Sequence, residues 1–198
     1  MKRYGIFGGT FNPPHIGHSI LAENVREQLH LDKIIFIPSG NPPLKQDNGL
    51  IDIKHRLQMT KLAFDSDEHF EVNDIEVKYS DEISYTVITL SRLKEKYQKD
   101  NVKFYLILGI DNLITFPQWK EPHKLFNLSE VVIINRPGFS NKDVNPEFLN
   151  KVKYLDVPDL EISSTMIREY IAQMKSIKYL VLPDVERYIK KNKLYLTK

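Results

Sequence analysis

The sequence predicts a doubly wound α/β fold: a mostly parallel sheet with helices on both faces. Short apolar runs bounded by Gly, Pro or polar residues alternate with stretches of helical periodicity. A strand–helix–strand unit is complete within residues 1–40, as a βαβ crossover requires. The run at 103–109 (KFYLILG) is apolar on both faces, the composition of a central parallel strand.

Residues 4–7 read as a buried strand. Gly8, Gly9, Asn12, Pro13 and Pro14 then make a loop, because Pro14 forbids a helix before it. From about Gly17, Ile20, Leu21, Val25 and Leu29 recur at helical spacing. A second strand spans 33–38 (KIIFIP) and ends at Pro38 and Gly40. The polar, Pro-rich segment 39–49 is long for a connection, and long loops often carry binding residues. A helix over 52–64 points Leu57, Met59, Leu62 and Ala63 inward. Residues 70–77 are extended, and 84–97 form a helix capped by Ser84. Further strands fall at 103–109, 131–135 and 153–157, and helices at 163–174 and 184–192. This is one domain, 1–198, with a small helical C-terminal part from about 163. Alternating strands and helices put the first loop at the carboxyl edge of the sheet.

Bulk properties narrow the functional classes. The 198 residues are 41% hydrophobic and 27% charged, a normal balance for a chain that buries its own core. Absence of cysteine excludes disulfides and thiolate metal sites and fits a reducing compartment. With 28 basic and 26 acidic residues, the net charge of +2 announces neither a nucleic-acid nor a membrane partner. There is no signal-peptide pattern and no apolar run of about 18 residues. A cytoplasmic protein is expected, and a homo-oligomer is left open. The lysines after Arg187 read as favourable cations at a helix end.

Two segments carry chemistry. The first, GGTFNPPHIGH at 8–18, follows a strand and enters a helix. Gly8 and Gly9 let the backbone turn and approach a ligand, and the helix start favours an anion. His15 and His18, three apart, can share one side, and Gly17 leaves nothing between them to block a phosphate or base. An anionic field would keep both imidazoles protonated, as paired donors for phosphate oxygens. A bare Gly-Gly is often only a turn. A histidine pair can bind metal, but no third ligand or intervening Glu is present. The second segment, ISSTMIR at 162–168, places Ser163 or Ser164 as an N-cap, Thr165 in the first turn and Arg168 one turn on. Hydroxyls, helix-start amides and a guanidinium can together surround a polyphosphate. Alone, the segment reads better as a well-capped helix whose arginine faces solvent.

Taken together, these segments resemble the signature of the nucleotidyltransferase superfamily that shares His-x-Gly-His with class I aminoacyl-tRNA synthetases. The resemblance implies a Rossmann-like fold. It implies that His15 and His18 contact ATP phosphates and stabilise a pentacoordinate transition state. It also implies that backbone around Gly8, Gly9, Thr10 and Phe11 meets the nucleotide, and that Ser163, Ser164, Thr165 and Arg168 grip the triphosphate. No Lys-Met-Ser-Lys-Ser loop is present, against an aminoacylating enzyme.

Within the superfamily, nicotinate-nucleotide adenylyltransferases match further segments. Asn41-Pro42-Pro43-Leu44-Lys45 resembles their Pro-Pro-His-Lys flap, with Leu44 in place of His, and implies that Lys45 meets a substrate phosphate. His55-Arg56-Leu57 resembles a helix behind the acceptor site. Ser84-Tyr85-Thr86 resembles a helix start whose amides meet the pyridine carboxylate, although Asp81-Glu82-Ile83 departs from the usual Gly-Pro before it. Gly109 follows a buried strand and permits close approach of adenine or ribose. Asp111 is a candidate acceptor of sugar hydroxyls or an N-cap. Trp119, the only tryptophan, is a candidate to stack on the pyridine ring. Arg136, in Arg136-Pro137-Gly138, resembles the family arginine near the phosphates.

The implied reaction joins ATP and nicotinate mononucleotide to give nicotinate adenine dinucleotide and pyrophosphate, with Mg²⁺ carried in on ATP. Pantetheine-phosphate adenylyltransferases are the nearest alternative, but they usually have Thr where His15 stands. A non-catalytic nucleotide sensor is the alternative of a different class.

Overall fold

The computed structural model describes residues 1–43, 49–135, 138 and 144–196. Six strands form a single sheet: β1 (Lys2–Gly9), β2 (Lys33–Pro38), β3 (Phe70–Val72), β4 (Val102–Gly109), β5 (Glu130–Ile134) and β6 (Lys153–Leu155). Every neighbouring pair is parallel, in the order β3-β2-β1-β4-β5-β6. The winding reverses between β1 and β4. In open α/β sheets the crevice beyond the carboxyl ends at such a switch is where ligands bind.

Alternation along the strands sends side chains to two separate cores. Ile34 and Phe36 of β2, Tyr105 and Ile107 of β4, and Val132 and Ile134 of β5 face one of them. Helices α1 (Ile16–Gln28), α2 (Ile53–Phe64), α8 (Ser164–Ala172) and α9 (Pro183–Lys191) cover that core with Val25, Met59, Ile167 and Val185. Tyr4 and Ile6 of β1, Ile35 and Ile37 of β2, and Phe104, Leu106 and Leu108 of β4 face the other. There α4 (Thr86–Lys96), α5 (Ile110–Thr115), α6 (Pro122–Leu128) and α7 (Pro146–Leu149) supply Leu90, Leu113, Leu125 and Phe148. Phe36 stacks on Phe64 with centroids 3.7 Å apart, tying β2 to α2. Truncating such a buried ring to Ala costs about 3–5 kcal/mol.

Several local expectations need correction. Residues 70–77 do not run extended: β3 stops at Val72, and a short helix α3 (Ile75–Lys78) follows. Asn73 causes the break, because its Oδ1 accepts from the Ile75 amide and turns the chain. Ser84 is not the cap of α4. Tyr85 holds that position, and Ser84 exchanges hydrogen bonds with Asn41 instead. On α2 the buried residues are Arg56, Met59, Thr60, Ala63 and Phe64, so a charge occupies the face expected to carry Leu57. No helix among the described residues is long and apolar enough to cross a membrane.

Candidate active site

The loop after β1 is shaped by Phe11. Gly8 and Gly9 stay in the strand, paired with Ile37 and Pro38, and the left-handed residue is Phe11 at φ 46°. The glycines therefore do not make the turn themselves. Gly9 leaves room for the Phe11 ring, which would lie 3.0–3.3 Å from a Cβ there. A Cβ on Gly8 would meet no atom within 4 Å, so the strand's end is open to approach.

His15 is the N-cap of α1 and is buried, and His18 stands one turn on. The imidazoles stack with centroids 3.7 Å apart and planes 29° from parallel. His18 Nδ1 accepts the His15 backbone N–H at 3.1 Å, which leaves Nε2 of His18 as its hydrogen-bond donor. Gly17 also has a different use: a Cβ there would lie 3.0 Å from His15 Nδ1. Its missing side chain makes room for the His15 ring.

The two signature segments meet. Ser163 caps α8, accepting from the Met166 amide. Ser164 Oγ donates to the Pro13 carbonyl at 2.7 Å, across 151 residues of sequence. Arg168 Nη1 donates to the Asn12 carbonyl at 3.0 Å, and its Nη2 lies 3.5 Å from Thr165 Oγ1. The α8 start, with its helix-start amides, therefore abuts the loop that leads into the histidine pair.

The remaining described candidates lie on the other side of the carboxyl edge. Gly109 ends β4 and caps α5, and Asp111 Oδ1 would be 2.5 Å from a Cβ on Gly109. That space is filled by the carboxylate of Asp111, which sits in the first turn of α5 rather than at its cap. Tyr85 and Trp119 both pack on the second core, and the Lys120 ammonium lies 4.6 Å over the Tyr85 ring. The Trp119 indole is half-buried against Phe116 and donates to Thr115 Oγ1 at 3.4 Å. Thr86 opens α4. Lys45 and Arg136 lie outside the described residues.

Three residues outside the candidate site set hold these parts together, one of them Arg56 of the His55-Arg56-Leu57 segment. Asn12 is buried: its Nδ2 donates to the Gly49 carbonyl at 2.9 Å, and its Oδ1 accepts from the Tyr195 hydroxyl at 2.9 Å. Burial pushes the Tyr195 hydroxyl well up from its ordinary value, with Arg168 and Arg56 pulling the other way. Arg56 is wholly buried and donates to the Thr10, Ser39, Gly40 and Ile51 carbonyls. Burial pushes the guanidinium down from its ordinary value, opposed by Tyr195, Asp52 and Glu76. A sequence signal for Arg56 did exist: with Met59, Thr60 and Ala63 it falls on the i, i+3, i+4, i+7 stripe that faces the core.

A parallel sheet with a helix-start loop, paired imidazoles and a second helix start at its switch point defines a nucleotidyltransferase-type site. Comparison with known proteins carries the assignment further. The model of the cytidylyltransferase-like family matches residues 6–170. The chain is 40% identical to the nicotinate-nucleotide adenylyltransferase of Bacillus subtilis (strain 168), covering 98% of this chain and 99% of that one. It is 41% identical to a probable nicotinate-nucleotide adenylyltransferase of Thermoanaerobacter sp. (strain X514), covering 98% and 94%. Among solved structures, the Plasmodium falciparum nicotinic acid mononucleotide adenylyltransferase complexed with NaAD superposes with a TM-score of 0.79 at 25% identity, over 98% of both chains. The chain belongs to the cytidylyltransferase-like family and, within it, to the nicotinate-nucleotide adenylyltransferases.

Proposed function

We propose that this protein transfers the adenylyl group of ATP to nicotinate mononucleotide, releasing pyrophosphate and forming nicotinate adenine dinucleotide, a step of NAD biosynthesis. The observation that carries the reading is the junction of the two signature segments, Ser164 on Pro13 and Arg168 on Asn12. It puts hydroxyls, helix-start amides and a guanidinium beside the histidine loop, donors of the kind that hold a triphosphate.

In the proposed reaction a phosphate oxygen of the mononucleotide attacks the α-phosphorus of ATP. The new P–O bond forms as the bond from the α-phosphorus to the bridging oxygen breaks, and pyrophosphate leaves with that electron pair. The attacking phosphate is already ionised, so no side-chain nucleophile or general base is required. Catalysis is positioning and charge stabilisation. His18 Nε2 and the His15 ring donate to oxygens that gain charge in the transition state. Ser163, Ser164, Thr165 and Arg168 hold the triphosphate, with Gly8, Gly9, Thr10, Phe11 and Gly109 offering backbone to the nucleotide. Ser84, Tyr85, Thr86, Asp111, Trp119, Lys45 and Arg136 are proposed to bind the acceptor. No group of three or more His, Asp or Glu among the described residues could hold a metal ion. Mg²⁺ is proposed to enter with ATP, where it would neutralise phosphate charge.

The test is pyrophosphate release from MgATP with nicotinate mononucleotide, nicotinamide mononucleotide, phosphopantetheine or no acceptor. Release with nicotinate mononucleotide, together with a product of the dinucleotide mass, supports the reading. Release with phosphopantetheine alone would transfer the assignment to that acceptor. Binding of ATP without release under any condition would make the protein a sensor.

A further inference from the structure

Arg56 is a buried cation held by backbone. Its side chain is 1% exposed and makes four hydrogen bonds: Nη1 to the Thr10 carbonyl at 2.9 Å and the Ser39 carbonyl at 2.7 Å, Nη2 to the Gly40 carbonyl at 3.3 Å, and Nε to the Ile51 carbonyl at 3.2 Å. Among the described residues no carboxylate lies within ion-pair distance of it, and Asp52 and Glu76 act on it only through space. A guanidinium presents five N–H donors in a rigid plane, so four bonds nearly exhaust it. A buried charge satisfied this way is costly to form, and replacing it by packed apolar atoms is often neutral for stability. Stability alone is therefore a weak reason for its presence.

The carbonyls it holds belong to two different loops. Thr10 lies in the loop after β1, which the proposed reaction uses for the nucleotide. Ser39 and Gly40 lie in the loop after β2. A trans peptide points its N–H opposite to its C=O, so fixing a carbonyl fixes the next amide. Holding the Thr10 carbonyl turns the Phe11 N–H away from the guanidinium. Holding the Ser39 carbonyl aims the Gly40 N–H at Glu76 Oε2, 3.3 Å away, and holding the Gly40 carbonyl aims the Asn41 N–H at Ser84 Oγ, 3.0 Å away. The Ser84 N–H returns a bond to the Asn41 carbonyl at 2.8 Å. Glu76 also takes the Thr89 hydroxyl at 2.7 Å, on α4. Gly40 fits closely here: a Cβ on it would lie 2.4 Å from the Glu76 carbonyl oxygen. One guanidinium thus links the nucleotide loop to the segment that opens α4, where the acceptor is proposed to bind.

We propose that Arg56 is a positioning residue that sets the placement of the two substrates relative to each other. It touches neither substrate. It fixes the separation and angle between the loop after β1 and the start of α4, and in-line attack depends on that separation. The inference rests on the adenylyl-transfer reading. It predicts a specific signature: each substrate binds its own half-site nearly as before, while turnover of the two together falls. A misplacement of about 1 Å between reacting groups costs on the order of 100-fold in rate.

The experiment measures kcat, the Kd of MgATP alone, the Kd of nicotinate mononucleotide alone and the melting temperature, for the wild type, Arg56→Lys and Glu76→Gln. Lys keeps the charge but cannot span four carbonyls. Gln presents an NH₂ where Glu76 accepts and weakens the α4 side of the same link without a buried vacancy. The expected result is a kcat loss of about 100-fold for Arg56→Lys and about tenfold for Glu76→Gln, with each separate Kd within about threefold of wild type. Turnover within twofold of wild type in Glu76→Gln and in folded Arg56→Lys would overturn the proposal. So would a loss explained by weaker binding of one substrate. If Arg56→Lys does not fold, Glu76→Gln decides. An inactive wild type would instead sink the adenylyl-transfer reading, and this inference with it.

Discussion

Gly17→Ala separates catalytic geometry from stability. Gly17 is the second residue of α1, where Ala is favoured over Gly by up to about 1 kcal/mol. The new methyl would lie 3.0 Å from His15 Nδ1 and 3.2 Å from its Cε1. Ordinary carbon contacts are near 3.5–4.0 Å, so the ring must give by about 0.5 Å. It cannot swing away freely, because it is buried and stacked on His18 at 3.7 Å. The strain of moving it, about 1 kcal/mol, offsets the helix gain, and net stability should stay within about 1 kcal/mol of wild type. For a chain of this size that is a melting shift of about 2–4 °C. Activity should respond much more. If about 1 Å of misplacement costs about 100-fold, half of that costs about tenfold, or about 1.4 kcal/mol of barrier. A coupled pyrophosphate-release assay with a thermal melt on the same sample reads both quantities. Wild-type kcat in Gly17→Ala would refute the idea that this glycine serves the His15 ring. A kcat loss matched by a melting drop of ten degrees would refute it too, since the defect would then be general.

Three other outcomes are expected. His18→Ala should lower kcat by about 100- to 1,000-fold while the Kd for nicotinate mononucleotide, by calorimetry, stays close to wild type. Ser164→Ala removes the bond to the Pro13 carbonyl and should cost about 1 kcal/mol in chemical denaturation and raise the KM for ATP, leaving the acceptor KM unchanged. Glu71 provides a pH test away from the site. Burial pushes its carboxyl up, but Lys33, Tyr97 and Asn73 together prevail and hold it below its ordinary 4.5. The unfolded chain therefore takes up this proton first. The group's stabilisation is complete above about pH 4.5 and is lost as pH falls through its lower folded value. Glu71→Gln should cost about 1.5 kcal/mol at pH 7, and denaturation midpoints of variant and wild type should converge in acid. Parallel acid limbs would contradict this.

Much of this molecule is legible in its sequence where a local pattern and the tertiary demand agree. The β2 strand is legible at its observed bounds because KIIFIP is apolar on both faces and ends in Pro. The pairing of loop and late helix is legible through the resemblance of both segments to one superfamily signature, since residue types alone suit a capped surface helix as well. Where tertiary packing overrides pattern, sequence reading failed. Phe11, not a glycine, takes the left-handed turn, because its buried ring is held among Phe7, Phe36 and Phe64. Ser84 looked like a cap, but Asn41, 43 residues earlier, competes for its hydroxyl. Tyr195 reads as a C-terminal aromatic, and only the fold brings its hydroxyl to Asn12, 183 residues away. Arg56 breaks the rule that long cations face water, because four loop carbonyls, three just beyond strand ends and one just before α2, solvate it.

The central claim is that one triphosphate lies between the histidine pair and the first turn of α8. A crystal structure with MgATP in a non-hydrolysable form, without acceptor, tests it most directly. The account predicts phosphate oxygens within about 3.2 Å of His18 Nε2 and of at least one hydroxyl, amide or guanidinium donor from Ser163, Ser164, Thr165 or Arg168. A triphosphate bound with α8 out of reach, or seated at another edge of the sheet, would contradict it.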